Sequence, residues 1–329
     1  MTAAGIVLTL SCVRKARRPE KPVPTASVVL TGDVMLDRGV RIQIQRIGME
    51  GLLQDVSSIF RASDFTVINL ECPATDTIRP QEKPYVFRAE PEWIPVLVKA
   101  GITHASLANN HSVDQNEVGL VSTLSNLNRY GIVPFGAGTD SLSCSPVIFG
   151  KSGIAFALFG SAPLYQDYKS PDLKNVKPCI ESAEETAVRI RAEKRRRPGM
   201  RIFAFLHWGK EYVERPSKRQ QEGARLLIDA GAEAVVGHHP HVLQPVEWYK
   251  GKPIFYSLGN LVFDQRKPPT NKGMVVRLTY DPDSLRTIEL YPVAIERGVP
   301  MWVTESDTGR PVISLPDSSQ RFVVRYKPD

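Results

Sequence analysis

Apolar residues recur along this chain in short runs, and most of these runs end in glycine, polar or charged residues. Runs bounded by turn residues predict buried strands, whereas apolar positions three or four apart predict amphipathic helices. The predicted strands span residues 27–30, 64–70, 103–107, 146–149, 154–159, 201–206, 232–236, 243–248, 253–258, 274–280, 287–296 and 320–326. The predicted helices span residues 40–45, 92–100, 117–130, 181–197 and 217–230.

Strands and helices alternate in the first part of this pattern, and the segment after residue 242 is rich in strands. This arrangement predicts an α/β fold in which two sheets carry helices on their outer faces. No internal repeat of fixed period is present.

Polar groups that commonly bind metal ions follow five of the predicted strands. Because parallel strands of one sheet end at the same edge, we expect these groups to meet in one crevice. Carboxylates, an amide oxygen and imidazoles together suit one or two divalent ions (Mn, Fe or Zn) better than a structural zinc cage. Two such ions, about 3.5–4 Å apart, can polarise a substrate oxygen. The expected ligands are Asp33, Glu71, Asn110, His207, His239 and His241.

The densest of these segments is Gly237-His238-His239-Pro240-His241. Pro240 disfavours the helical region for His239 and favours an extended backbone. Residues two apart in an extended segment project to the same side. We therefore expect His239 and His241 to face one metal site, with His238 in a supporting role. The alternative is a solvated loop or buried histidines whose hydrogen bonds are satisfied within the fold.

The expected ligands run from Asp33 to His241, so these residues have to converge within one folded unit. We expect a single domain over residues 27–329, preceded by a leader and linker over residues 1–26. The leader contains a short apolar run that ends at Cys12, and this run is too short to span a bilayer as a helix. It is similar to the end of a lipoprotein signal, although its basic residues follow the run. We expect an exported, cell-envelope protein that is lipid-anchored or membrane-associated.

The four cysteines form no Cys-x-x-Cys pair, which excludes a zinc ribbon and a dithiol redox motif. If Cys12 carries lipid, at least one of the other three stays unpaired. The net charge of +7, with a pI of about 9.2, favours an anionic partner. The basic clusters carry no interleaved aromatic residues, and no nucleic-acid motif is present, so we expect no nucleic-acid partner.

Several segments together resemble the motifs of the CapA family, the bacterial capsule-synthesis and poly-γ-glutamate proteins of the calcineurin-like metallophosphatase superfamily. The resemblance covers roughly residues 28–264, and it is the ordered set of segments that is specific. The segments are Thr31-Gly32-Asp33-Val34-Met35, Asn69-Leu70-Glu71, Lys83-Pro84-Tyr85-Val86-Phe87-Arg88, Asn110-His111-Ser112-Val113-Asp114, His207-Trp208-Gly209, Gly237-His238-His239-Pro240-His241 and Tyr256-Ser257-Leu258-Gly259-Asn260-Leu261-Val262-Phe263-Asp264.

The resemblance implies a four-layer α/β/β/α sandwich of two mixed sheets around a dinuclear metal site. It assigns the six expected ligands to that site and places Glu71 where a bridging aspartate usually stands. It also makes His111 the catalytic acid or the partner of an oxyanion. One departure concerns the first strand, where phosphatases carry Asp-x-His and this chain carries Asp33-Val34-Met35. One histidine ligand is therefore missing.

Three functions are compatible with these residues. The first is a CapA-like metal-dependent hydrolase in the synthesis, transfer or trimming of an anionic surface polymer, poly-γ-glutamate above all. The second is a phosphoesterase acting on nucleotides or phospho-sugars. The third is a non-catalytic, polymer-binding subunit of a membrane synthase. Cations close to the expected site in sequence are candidates for binding substrate carboxylates or phosphates. They are Arg38, Lys83, Arg88 and Lys210.

Overall fold

The structure is a computed structural model that describes residues 23–140, 142–163 and 173–303 and the backbone of a strand at residues 321–324. Most of the expected leader, including Cys12, lies outside the described residues. So does the basic cluster at residues 14–18. No helix among the described residues has both the length and the apolar composition needed to cross a membrane.

The first half of the chain alternates strands and helices, as its apolar pattern predicts. Its elements, in chain order, are β1 (Ala26–Val34), α1 (Arg38–Leu53), α2 (Ser57–Arg61), β2 (Phe65–Leu70), a 3₁₀ turn (Pro91–Trp93), α3 (Ile94–Lys99), β3 (His104–Ser106), α4 (Asn116–Tyr130), β4 (Val133–Phe135) and β5 (Ala137–Thr139).

The second half adds two more helices and then becomes rich in strands. Its elements are β6 (Val147–Lys151), β7 (Ile154–Ser161), β8 (Val176–Pro178), α5 (Ala183–Arg196), β9 (Arg201–His207), α6 (Lys218–Asp229), β10 (Ala234–His238), β11 (Val246–Tyr249), β12 (Lys252–Phe255), β13 (Asn260–Val262), β14 (Lys272–Tyr280), β15 (Leu285–Glu296), β16 (Val299–Trp302) and β17 (Arg321–Val324).

The strands form two main sheets, both of mixed direction. The first has nine strands with the path β16-β15-β14-β1-β2-β3-β4, and β13 and β17 pair with β1 and β15. The second has six strands in the order β11-β12-β10-β9-β7-β6. β5 and β8 form a separate two-stranded sheet, and a disulfide between Cys144 and Cys179 lies beside it. Cys72 is a free, buried thiol.

The two main sheets pack face to face with helices on the outside. Alternation along the strands produces this arrangement, because successive side chains point to opposite faces. Val28 and Leu30 of β1 pack with Phe203 of β9 in a core between the sheets. Val29 belongs to the core under α1, α3 and α4, and Ile202 belongs to the core under α5 and α6. The result is the four-layer α/β/β/α sandwich that the resemblance implies.

Local sequence signals set the ends of several helices. Ser182 and Glu185 form a capping box at the start of α5, and Ser217 and Gln220 form one at the start of α6. Gly131 ends α4 with φ of 90°, which a residue with a Cβ rarely adopts. These caps fix the helices that cover the outer faces of the sheets.

The predicted elements are present with shifted boundaries, and some short elements escape the apolar pattern. The predicted helix over residues 40–45 is the start of the longer α1. The predicted strand over residues 27–30 extends to Val34 and therefore includes Asp33. The elements that were not predicted are α2, β4, β5, β8, β13 and β16. All of them are five residues or shorter, which is too short for a period to be read from one sequence.

Candidate metal centre

Five strands deliver polar side chains to one crevice. β1, β2 and β3 belong to the first sheet, whereas β9 and β10 belong to the second. The expectation that these strands share one sheet is therefore wrong, because the crevice draws on two facing sheets. Asp33 is level with Asn69 in the first sheet, and His207 is level with His238 in the second. Strand pairing thus aligns the site residues within each sheet, and the packing of the two sheets brings both sets of residues together.

Close backbone contacts next to the site require glycine at two positions. A Cβ on Gly32 would lie 2.2 Å from the carbonyl oxygen of Gly259, so β1 can approach the neighbouring chain only without a side chain there. A Cβ on Gly237 would lie 1.9 Å from the carbonyl oxygen of Tyr256. Each glycine directly precedes residues of the site. Their lack of a side chain permits the tight strand packing that positions the expected ligands.

Two groups of potential ligands share Glu71. Ligand atoms of Glu71, His207 and His239 all lie within 4.8 Å of one another, and so do those of Asp33, Glu71 and His241. Oε1 of Glu71 lies 3.5 Å from Nε2 of His207 and 3.7 Å from Nε2 of His241. Glu71 therefore stands between the two groups, where one carboxylate could bridge two ions.

Asparagine side chains hold the ligand groups in place. Nδ2 of Asn69 donates a hydrogen bond of 2.8 Å to Oδ1 of Asp33 and lies 3.3 Å from Nδ1 of His207. Oδ1 of Asn69 in turn accepts a hydrogen bond from Asn109. Oδ1 of Asn110, an expected ligand, lies 2.8 Å from Nε2 of His207. Asn69 thus links a carboxylate of one sheet to an imidazole of the other.

The backbone after β10 is not extended, so the expected conformation of this segment is wrong. His239 has φ of 95° and His241 has φ of 56°, values that side chains with a Cβ rarely adopt. The amide of His239 donates to Oδ2 of Asp33, and Nδ1 of His241 lies 3.2 Å from the same oxygen. Strained residues of this kind cluster at functional sites, where the surrounding structure holds them. Both imidazoles still reach the crevice.

Burial and neighbouring charges change the pKa values of the ionisable groups of the site. Burial, together with the charge of Asp33, holds the pKa of Glu71 well above the usual range. Burial lowers the pKa of His239 to about 3. Burial also disfavours the imidazolium of His241, but the charge of Glu71 and the hydrogen bond to Asp33 outweigh it and raise the pKa to about 9. Burial and the neighbouring His239 hold the pKa of His207 well below its usual value.

The residues present fit a divalent metal centre. Both carboxylate oxygens of Glu71 are buried and have no hydrogen-bond partner among the described residues. The same is true of Nδ1 of His239. A buried polar atom without a partner is costly, so such atoms call for an explanation. A cation bound between the groups would satisfy these atoms. The mixed oxygen and nitrogen set suits Mn, Fe or Zn.

The position of the missing histidine is occupied by a core residue. Met35 is fully buried and belongs to the hydrophobic core on the helix side of the first sheet. Its sulfur accepts a hydrogen bond from the amide of Asp37. The group of Asp33, Glu71 and His241 therefore lacks the imidazole that the first strand of phosphatases provides.

His111 is paired with a buried aspartate beside this centre. Nδ1 of His111 lies 2.8 Å from Oδ2 of Asp114, and Lys83 forms an ion pair with the same carboxylate. The ring stacks on Phe87, with ring centroids 4.1 Å apart. Burial lowers the pKa of His111, and the hydrogen bond to Asp114 opposes that shift. The pair has the geometry of a histidine oriented for proton transfer.

Three of the four cations predicted to bind substrate form ion pairs or hydrogen bonds within the protein. Lys83 contacts Asp114 and also donates to the carbonyl oxygen of Asn110. Arg88 forms an ion pair with Glu90 and donates to a backbone carbonyl. Arg38 is held by Asp264, and the rings of Phe87, Phe263 and Tyr85 surround its guanidinium. All three lie on the side of the first sheet, as the positions of their partners show.

Lys210, the fourth predicted cation, lies in the loop after β9. It is exposed and lines a cavity of about 380 Å³ beside Trp208. Arg215 and Arg219 line the same cavity, and Glu184 contributes one carboxylate. None of the three cations has an ion-pair partner in the part of the chain that the structure describes. The roles of all four cations in substrate binding stay predictions.

The apolar pattern did not identify four polar residues of the site. Asn69 lies in the segment that contains the expected ligand Glu71, and Asp114 lies in the segment that contains Asn110 and His111. Asn260 contacts Nδ1 of His241 at 3.0 Å, and Glu211 lies near the two histidines of the same loop. The first three could have been found by asking what orients each expected ligand. Nothing in a single sequence marks Glu211.

A family model described as "Bacterial capsule synthesis protein PGA_cap" matches residues 27–265. The chain is 31% identical over 281 residues to the "PGA biosynthesis protein CapA" of Bacillus subtilis (strain 168), a match that covers 83% of this chain and 73% of that protein. It is 28% identical over 290 residues to the "Capsule biosynthesis protein CapA" of Bacillus anthracis, covering 85% of this chain and 70% of that protein.

Solved structures resemble the fold at low sequence identity. One is a putative 5′-nucleotidase from Staphylococcus aureus, with a TM-score of 0.51 and 16% identity. The match covers 86% of this chain and 56% of that one. At this identity the likeness concerns the fold alone, and it confirms the expected metallophosphatase-like fold.

The first prediction concerns Glu71. We expect Glu71→Gln to unfold at about the same temperature as the unsubstituted protein in a chelator, because burial raises the pKa of Glu71 and favours an uncharged side chain at this position. We also expect it to lose most of the stabilisation by Mn²⁺, which is about 2.7 kcal/mol when the free ion is at 100 times its Kd. Thermal unfolding with EDTA and with Mn²⁺ measures both effects.

Glu222→Gln is a suitable control, because Glu222 lies exposed on α6. It should respond to Mn²⁺ like the unsubstituted protein. An unchanged response to Mn²⁺ in Glu71→Gln would rule out Glu71 as a ligand.

Proposed function

The chain belongs to the bacterial capsule synthesis protein family PGA_cap, and on this basis we propose that it is a metal-dependent hydrolase acting on an anionic cell-surface polymer. The substrate proposed is poly-γ-glutamate, and the reaction serves the synthesis, transfer or trimming of that polymer. The names of the relatives support this choice of substrate, since one of them is a PGA biosynthesis protein. The geometry of the centre supports the chemistry.

The position of Glu71 between two ligand groups carries the proposal. Two ligand groups that share one carboxylate are the kind of arrangement that would hold a pair of divalent ions. When bound, such ions polarise a carbonyl or phosphoryl oxygen and lower the pKa of a coordinated water. Asp33, Glu71 and His241 would hold one ion, while Asn110, His207 and His239 with Glu71 would hold the other.

The role proposed for His111 is to transfer a proton to the leaving group. Asp114 engages Nδ1, so Nε2 is the atom available for proton transfer. Asp114 fixes the orientation of the ring, and Lys83 balances the charge of this carboxylate. In hydrolysis of an amide, water adds to the carbonyl carbon as Nε2 of His111 takes one of its protons, and this proton passes from Nε2 to the leaving nitrogen as the C–N bond breaks. The second proton of the water also ends on the amine. The products are a carboxylate and an ammonium group.

Exposed cations in the loop after β9 and at the start of α6 favour an anionic substrate. Lys210, Arg215 and Arg219 line the cavity beside Trp208, which directly follows the expected ligand His207. A polymer with one carboxylate per residue could place these groups on the three cations while a bond lies at the centre. Arg38, which Asp264 holds in position, is a further candidate for contact with substrate.

Met35 gives a specific reason to consider a second function. The absence of a histidine at this position could leave the centre unable to turn over substrate. The protein would then bind the polymer as a subunit of a membrane synthase. A phosphoesterase of small substrates is the third candidate, and the same centre would serve it.

The test measures bound Mn, Fe and Zn by mass spectrometry and then hydrolysis of poly-γ-glutamate and of bis-p-nitrophenyl phosphate. We expect metal in the purified protein and cleavage of the polymer. We expect His111→Ala to keep its metal and to lower kcat about 100-fold or more, because general acid catalysis contributes at least that much. His239→Ala/His241→Ala should lose metal and activity together.

His104→Gln is the control for removing a buried histidine. His104 lies in β3 between Phe65 and Phe149, so its loss should leave metal content and kcat unchanged. Metal binding with polymer binding but no cleavage would support the subunit instead. Cleavage of the phosphodiester alone would support the phosphoesterase.

We also propose that the protein is exported and anchored through Cys12. The disulfide between Cys144 and Cys179 supports export, because disulfides persist in oxidising compartments. Membrane synthase subunits are the partners proposed at that location.

The anchoring test labels bacteria that express the full chain with radioactive palmitate. We expect label in the protein and recovery in the membrane fraction, and we expect Cys12→Ser to lose both. Cys72→Ala removes a different free thiol and should stay labelled. Equal labelling of Cys12→Ser and the unsubstituted protein would refute the anchor.

A further inference from the structure

Glu211 lies in a loop that is tied to the histidine segment after β10. The loop follows His207 at the end of β9. The amide of Trp208 donates to the carbonyl oxygen of His238, and the amide of Tyr212 donates to that of Pro240. Tyr212 also has φ of 66°, a conformation that costs free energy and persists only when neighbouring contacts hold it. Glu211 is thus positioned by hydrogen bonds on both of its sides.

The carboxylate of Glu211 is within ligand distance of two expected ligands. One of its oxygens and one ring nitrogen each of His239 and His241 all lie within 4.8 Å of one another. Nδ1 of His239 is buried and has no hydrogen-bond partner among the described residues. A cation beside the partly buried carboxylate would provide a partner for a ring nitrogen of this kind.

The two ligand groups around Glu71 are unequal without Glu211. One side has Asn110, His207 and His239 in addition to Glu71. The other has only Asp33 and His241, because Met35 stands where phosphatases have a histidine. The group of Glu211 includes His241 of this side as well as His239 of the other, and only the side of Asp33 and His241 is short of ligands.

We propose that Glu211 is a metal ligand and that its carboxylate compensates for the histidine missing at Met35. The ion beside Asp33 would then have carboxylates from Asp33, Glu71 and Glu211 and one imidazole from His241. An oxygen-rich set of this kind suits Mn²⁺ better than Zn²⁺, because carboxylates favour the harder ion. This inference rests on the proposed metal centre and specifies its donors and its metal.

Equilibrium dialysis with Mn²⁺ tests the inference by measuring the number of bound ions and their Kd. We expect Glu211→Gln to bind one of the two ions at least 10-fold more weakly, since even residues that only orient a ligand change metal affinity by about 10- to 100-fold. The same measurement with Zn²⁺ should show a smaller loss. The electron paramagnetic resonance signal should change from that of a coupled Mn²⁺ pair to that of a single ion.

Glu214→Gln is the matched control, because Glu214 is an exposed residue of the same loop. It should bind Mn²⁺ like the unsubstituted protein. Thermal unfolding of both variants in EDTA verifies that each one folds. Unchanged Mn²⁺ stoichiometry and Kd in Glu211→Gln would overturn the role of Glu211 and leave the proposed function standing. If the unsubstituted protein bound no metal, both would be overturned.

Discussion

The burial of Glu71 is the constraint on which the site depends. A carboxylate removed from water costs several kcal/mol unless charges or hydrogen bonds compensate for it. Glu71 is fully buried, and neither of its oxygens accepts a hydrogen bond from the described residues. In the protein without metal, the raised pKa values of Glu71 and His241 keep protons in this space. Divalent ions would displace those protons, so metal binding and proton release are coupled.

The fold meets this constraint by assembling the centre from two sheets. The first sheet provides Asp33 and Glu71, and the expected imidazole ligands lie at or just after the ends of strands of the second. The glycines before Asp33 and His238 allow the strands to approach closely, and Asn69 connects the two sheets by contacting both Asp33 and His207. The strained backbone at His239 and His241 turns both rings into the crevice. The packed core between the two sheets thus holds the expected ligands in fixed positions.

The features that could be predicted from the sequence are those that depend on neighbouring residues along the chain. Apolar runs indicated most strands, and polar residues at the ends of these runs indicated Asp33, Glu71, His207 and the histidine pair. Features that depend on tertiary packing were not predictable in this way. The division of the five strands between two sheets is one example, and the left-handed conformation of His239 is another. Glu211 is a third, because a loop brings it to the centre without any periodic signal.

The proposed hydrolase rests on membership of a capsule-synthesis family and on two ligand groups that share Glu71. The most direct measurement is a crystal structure of the protein soaked in Mn²⁺, with anomalous diffraction recorded at a wavelength where manganese scatters strongly. We expect two anomalous peaks about 3.5–4 Å apart, one on each side of Glu71. Peaks only elsewhere in the molecule, or no peak within bonding distance of Glu71, would contradict the metal centre.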